Sequence, residues 1–148
     1  MDNLQAFMAY AGDFEKTLAD DDWSRLGQYF TDDAVYVVEG GGFGCRLEGP
    51  TGIFAGMKKS LDGMDRKFDS RDLELTDGPH VDGDRISMSW KVIYHLAGQE
   101  DFILPGRSDV VYRDGRIAEL TDSYEPEVAE SALAWQQASG MTFDPSYT

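Results

Sequence analysis

Residues 85–125, RISMSWKVIYHLAGQEDFILPGRSDVVYRDGRIAELTDSYE, alternate apolar and polar side chains over three long runs. In 85–96, Ile86, Met88, Trp90, Val92 and Tyr94 alternate with Ser87, Ser89, Lys91 and His95. A period of two puts the even residues on one face of a strand, so that face is predicted to pack under the rest of the chain. Ala97-Gly98-Gln99 and Asp114-Gly115 are hairpin chemistry, and they separate this strand from others at 101–113 and 116–125. In 116–125 the even positions are Ala118, Leu120, Asp122 and Tyr124, against Ile117, Glu119, Thr121 and Ser123. A carboxylate thus falls on the more apolar face, where burial without a partner costs several kcal/mol. Asp122 must therefore be hydrogen-bonded, solvated by a pocket, or protonated.

Upstream, a strand is expected at 70–77, joined to 85–96 through the Asp82-Gly83-Asp84 turn. The N-terminal half reads differently. Leu4, Phe7, Met8, Ala11, Phe14 and Leu18 recur at helical spacing over 2–19. Asp20-Asp21-Asp22 interrupts that helix and supplies an N-cap for a short second one, Trp23 to Phe30. A strand follows at Ala34–Glu39, then the glycine run 40–44 and a short extended piece at Arg46-Leu47. A third helix, Thr51 to Met64, places Ile53, Phe54, Met57 and Leu61 on one stripe. The last helix starts with Pro126 in its first turn and stops at Gly140, leaving a tail that can fold back through Phe143 and Tyr147. Helices, then a meander of antiparallel strands, then a helix make an α+β domain over 1–148, with no repeat and no linker.

Composition narrows the function. Twenty-eight acidic residues against thirteen basic leave a net charge of −15, which repels phosphate backbones, so no nucleic-acid partner is expected. No apolar run approaches membrane-spanning length, and neither a membrane partner nor an address signal is expected, with a cytoplasmic location as the default. The lone Cys45 excludes an internal disulfide and reads as a plain buried thiol rather than a nucleophile. Gly40–Gly44 fails the dinucleotide pattern at Cys45, and Gly52–Ser60 fails the phosphate-loop pattern at Met57. The run 40–44 reads instead as a flexible loop at a cavity mouth. The aspartates at 20–22 and 82–84 lack calcium-loop spacing, so neither metal nor cofactor is expected.

Two stretches carry a resemblance. LADDDWSRLGQYFTDDAVYVVEG (18–40) resembles the first third of nuclear transport factor 2-like proteins. VVYRDGRIAELTDSYEPEVAESAL (110–133) resembles the last hairpin and helix of the SnoaL-like polyketide cyclases and of limonene epoxide hydrolases. The resemblance implies a cone-shaped, cystatin-like α+β barrel: a curved, mixed or antiparallel sheet wrapped around the N-terminal helices and enclosing an apolar cavity. It also implies a homodimer. By position, Asp122 falls where the epoxide hydrolases and cyclases keep their acid/base aspartate, and Tyr36 where the former keep a water-positioning tyrosine. Their companion asparagine is Val38 here, and their Arg-x-Asp pair is Met88 and Trp90. Against the ketosteroid isomerases, Val38 replaces the base, Phe14 replaces the oxyanion-hole tyrosine, and Asp109 lies near the second aspartate.

The candidate catalytic residues are therefore Asp122, Tyr36 and Asp109. The candidate binding residues are Trp90, Met88, Tyr94, Tyr124, Phe54, Phe14, Val38 and Arg107, with Phe68 as a further aromatic. Arg107 and Asp109 share a parity and read either as a substrate anchor or as a solvated ion pair beside a Pro105-Gly106 bulge. His80 and His95 read either as proton carriers, as in some cyclases and dehydratases of this fold, or as surface histidines. The expected function is cofactor-independent acid/base chemistry on a small apolar cyclic or polyketide-like molecule: cyclisation, isomerisation, dehydration or hydrolysis. The alternative is a non-catalytic binding or dimerisation module of the same fold.

Overall fold

The computed structural model describes residues 1–148. Helix α1 (Asn3–Asp20) opens with a reciprocal cap: the Asp2 carboxylate accepts from the Gln5 amide N–H while the Gln5 side chain accepts from Asp2 N–H. It ends at Asp21 in the left-handed region (φ 60°), and Asp22 caps the 3-10 turn Trp23–Tyr29, as the acidic run predicts. Asp21 then accepts from the Trp23 indole and from Lys58 and Arg66, which ties the end of α1 to α2 (Gly49–Gly63).

The strands are β1 (Phe30–Glu39), β2 (Cys45–Glu48), β3 (Ser70–Asp82), β4 (Arg85–His95), β5 (Phe102–Arg113) and β6 (Arg116–Ser123). They form one curved sheet in the order β2-β1-β6-β5-β4-β3, and α3 (Glu127–Ser139) follows β6. Every pairing is antiparallel except β1 with β6, which is parallel. The α+β cone expected from sequence is therefore present, with one correction: β2 and β3 are free edges, so the sheet wraps without closing into a barrel.

Three local differences from the sequence reading have physical causes. β3 runs five residues past the expected end at 77, because shifts of register on either side of Asp77 let it stay paired to β4 as far as Asp82↔Arg85. In β6 a shift between Val111 and Tyr112 leaves Ala118 as an extra residue, so Ile117, expected to face out, is fully buried with Leu120. Pro105-Gly106 forms no bulge: both pair in unbroken register with Lys91 and Trp90. The proline is tolerated because β5 pairs with β6 only from Arg107 onward, so Pro105 has a strand neighbour on one side alone.

The concave face packs in two parts. One lies under α1, the 3-10 turn and α2, with Leu26, Phe30, Ile53 and Ile86 essentially without solvent contact. The other lies near α3 and gathers Phe68, Tyr94, Phe102 and Phe143. Phe143 belongs to the tail, which does fold back. Its strap, residues 141–148, is held where Asp144 N–H donates to the Gly63 carbonyl at 3.0 Å. A Cβ at Gly63 would stand 2.0 Å from the Asp144 carbonyl oxygen, so only glycine admits the strap there. No helix is long and apolar enough to cross a membrane.

Gly63→Ala should therefore push the strap away and cost about 1–3 kcal/mol of stability, measured by urea unfolding. Urea curves that superimpose on wild type would show that the strap is not packed as described.

Candidate functional site

Between the concave face of the sheet and helices α1 and α2 lies a cavity of ≈ 240 Å³. The expected residues Asp122, Tyr36, Trp90, Met88, Tyr94, Tyr124 and Phe14 all line it. Its mouth is marked by Met8 on α1 and by Leu73 and Leu75 on β3, which line the cavity yet stay about half exposed. β3 is an edge strand, so nothing beyond it covers those leucines.

Asp122 reaches the cavity through register. In β6 it pairs with Val38 of β1 on one side and Ser108 of β5 on the other, and paired residues share a face. One carboxylate oxygen accepts from the Tyr36 hydroxyl at 2.6 Å and the other from the Ser108 hydroxyl at 2.6 Å. Ser108 in turn accepts from the Trp90 indole N–H at 2.9 Å. Since Tyr36 spends its one proton on Asp122, the 3.3 Å contact with Tyr147 is a bond donated by the Tyr147 hydroxyl. The result is one connected run: Trp90, Ser108, Asp122, Tyr36, Tyr147. No cation pairs with Asp122.

This environment sets the proton affinity of the carboxyl. Asp122 is half-buried, and the surface it keeps faces the cavity. Burial pushes its pKa above the ordinary carboxylate range, against the two hydroxyl donors, which favour the charged form. Burial likewise raises Tyr36 well above an ordinary phenol, with the nearby Asp122 charge adding to it. Aromatic rings frame the group. Trp90 meets Tyr124 edge-on at 5.8 Å, and Tyr36 meets Tyr147 at 5.5 Å. A Cβ at Gly106, which pairs with Trp90, would fall 2.5 Å from the indole ring, so the glycine lets the ring lie over β5.

Several expected residues lie elsewhere. Asp109 and Arg107 form an ion pair at 3.0 Å on the opposite, solvent-facing side of β5, each side chain about half exposed. Odd residues of β5 point away from Ser108, so neither anchors a ligand in this cavity. Val38 is packed in the core beside Asp122, and Phe54 packs against Phe30 and Trp23; neither lines the cavity. Phe68 stacks with Tyr94 and Trp135 in the second core cluster. His80 bonds Asp77 in the open, and His95 is clasped by Asp72 and Asp101, which raise its pKa. Gly40–Gly42 is a tight turn in the left-handed region rather than an open lip; its first glycine abuts the Tyr124 carbonyl, and Phe43 beyond it packs on Tyr124 in the cavity wall.

Sequence reasoning missed Ser108, Tyr147, Asp65 and Arg71. Ser108 was detectable, being a polar residue on the apolar parity of β5 with Leu104, Val110 and Tyr112. Arg71 likewise heads the apolar parity of Leu73 and Leu75. Tyr147 and Asp65 lie in a strap and a turn, which carry no period.

The comparisons with known proteins agree with this geometry. The model of the SnoaL-like domain matches residues 11–120. The chain belongs to that family. No curated protein matches it. Among solved structures, an NTF2-like protein of unknown function from Burkholderia pseudomallei superposes with a TM-score of 0.70 at 16% identity, covering 91% of this chain and 98% of its own. A Bacillus subtilis protein described as a candidate isomerase gives 0.65 at 18%, covering 97% and 99%. TerC, co-crystallised with polyporic acid, gives 0.63 at 20%, covering 86% and 98%. At such identities the likeness is one of fold.

The pH dependence follows from the raised pKa of Asp122. A carboxyl that holds its proton more tightly when folded contributes stability that is complete below the unfolded value near ~3.9 and is lost as pH rises through the folded value. Asp122→Asn removes that loss. Its melting temperature relative to wild type should therefore rise between pH 4 and pH 8, with each ~1 kcal/mol of the difference showing as about 3 °C in a chain of this size. Calorimetry across that range checks it, and a constant difference would mean that the carboxyl ionises without penalty.

Proposed function

We propose that the cavity takes a small, mostly apolar cyclic or polyketide-like molecule and that Asp122 moves a proton on it. What supports this is the carboxyl itself, set in a mostly apolar chamber with two hydroxyl donors and no cation paired to it. Such a group takes a proton from a carbon beside a carbonyl and returns it to another atom of the same molecule. The reaction is then an isomerisation, cyclisation or dehydration with no external proton acceptor. Tyr36 and Ser108 aim the carboxyl, and Tyr36 positions a ligand oxygen or a water beside it. The isomerase description of one structural neighbour and the polyporic acid bound by another support a small-molecule ligand of this kind.

A second reading is favoured by one observation: both oxygens of Asp122 already accept a hydrogen bond. In that reading the same chamber binds its ligand without chemistry. The two separate on Asp122→Asn with cyclic ketones and polyketide fragments as ligands. Under the first, turnover falls about 10²–10⁴-fold while affinity changes little. Under the second, no turnover is found in wild type. An Asp122 carboxyl that titrates at or below ~4 by carbon NMR would remove the acid/base role, whatever binds.

A further inference from the structure

The cavity has a second polar end. Arg71 on β3 pairs in register with Tyr94 on β4, and both line the chamber with Asp65 from the turn after α2. Arg71 Nη1 pairs with the Asp65 carboxylate at 3.1 Å and Nη2 with that of Glu15 at 2.7 Å, while the Tyr94 hydroxyl donates to Asp65 at 3.1 Å. The Arg71 and Asp65 side chains keep only 12% and 8% of their exposure. Both terminal nitrogens of the guanidinium are thus engaged, but Arg71 Nε is buried and has no partner. A buried N–H left unpaired costs about 1–3 kcal/mol, so a chamber occupant gains by bringing it an acceptor once a small shift of the Arg71 side chain uncovers Nε.

The backbone of β4 gives a scale for the separation of the two ends. Trp90, which bonds Ser108 beside Asp122, and Tyr94, which bonds Asp65, lie about 14 Å apart along the strand at roughly 3.4 Å per residue. Between them the wall is apolar, formed by Val92, Leu104 and Leu75. Charge defines the acceptor. Two carboxylates surround one guanidinium at this end, and the chain as a whole carries −15, so an anionic head group is disfavoured against a neutral oxygen.

We propose that Arg71 Nε is the second ligand contact of the cavity, and that the ligand is a neutral, elongated, largely aromatic molecule with an oxygen at each end, one at Asp122 and one at Arg71. This rests on the ligand cavity proposed above and narrows its substrate class. A phenolic hydroxyl suits the Arg71 end, because it accepts from Nε–H and has a proton to give Asp65. A ketone oxygen also accepts from Nε–H.

The test compares two rigid probes, 4,4′-dihydroxybiphenyl and 4-phenylphenol, titrated against the tryptophan fluorescence of the protein. Wild type should bind the two-oxygen probe at least about tenfold more tightly, the gain of one hydrogen bond to a charged donor. In Arg71→Met/Asp65→Asn, which removes donor and carboxylate together and leaves no lone buried charge, that preference should fall below about threefold. Should the double variant fail to fold, Arg71→Lys keeps the positive charge but lacks the Nε–H, and the same fall is expected. A wild-type preference under about threefold overturns the proposal, as does a preference that survives both changes. In either case, 4-phenylphenol binding that weakens in Asp122→Asn would leave the Asp122 cavity standing. Failure of both probes to bind removes both readings.

Discussion

The parallel pairing of β1 with β6 is the constraint on which the rest of the molecule depends. β6 is the last strand of the meander, and it pairs antiparallel with β5 on one side and parallel with β1 on the other. That second pairing joins the N-terminal helical half to the C-terminal sheet. It also sets Val38 opposite Asp122 and Tyr36 opposite Leu120, which brings the Tyr36 hydroxyl within 2.6 Å of the carboxylate. A slip of a single residue would turn Asp122 to solvent and leave Tyr36 without its acceptor. Register is held by the apolar faces of three adjacent strands at once, since Val38, Leu120 and Val110 all lose nearly all solvent contact.

Much of this was legible in the residues. The alternation gave the inner face of 85–96 and, from Ala118 onward, that of 116–125, and Asp122 was found because it breaks an apolar parity. For Arg107 and Asp109 the alternation gave only a shared parity; the structure puts that parity on the outer side of β5, which matches the ion-pair reading and not the carried-over role of Asp109. Ile117 was lost to a bulge, because one extra residue reverses parity and leaves no mark in the hydropathy pattern. Asp65 and Tyr147 lay beyond reach for a different reason. Their positions follow from tertiary packing of a turn and a strap, where local spacing carries no information.

The two polar ends of the chamber show how one interior holds unlike chemistry. At Asp122 a carboxyl is balanced by hydroxyl donors alone, so burial makes its charge costly and raises its pKa. At Asp65 burial also raises the carboxyl, but Arg71 opposes it by 3.1 Å contact. Neutral donors hold a buried acid without fixing its charge, whereas a guanidinium fixes charge and gives direction.

The strap, residues 141–148, gives this arrangement a further meaning. Pro145 and Tyr147 form part of the chamber wall, so the size of the interior is decided partly by a segment outside every strand and helix. Such a segment tolerates exchange far better than a sheet face, where each side chain is fixed by two neighbouring strands. A chain on this scaffold can thus change what it admits by rewriting a short stretch, leaving the sheet wall of the chamber as it was.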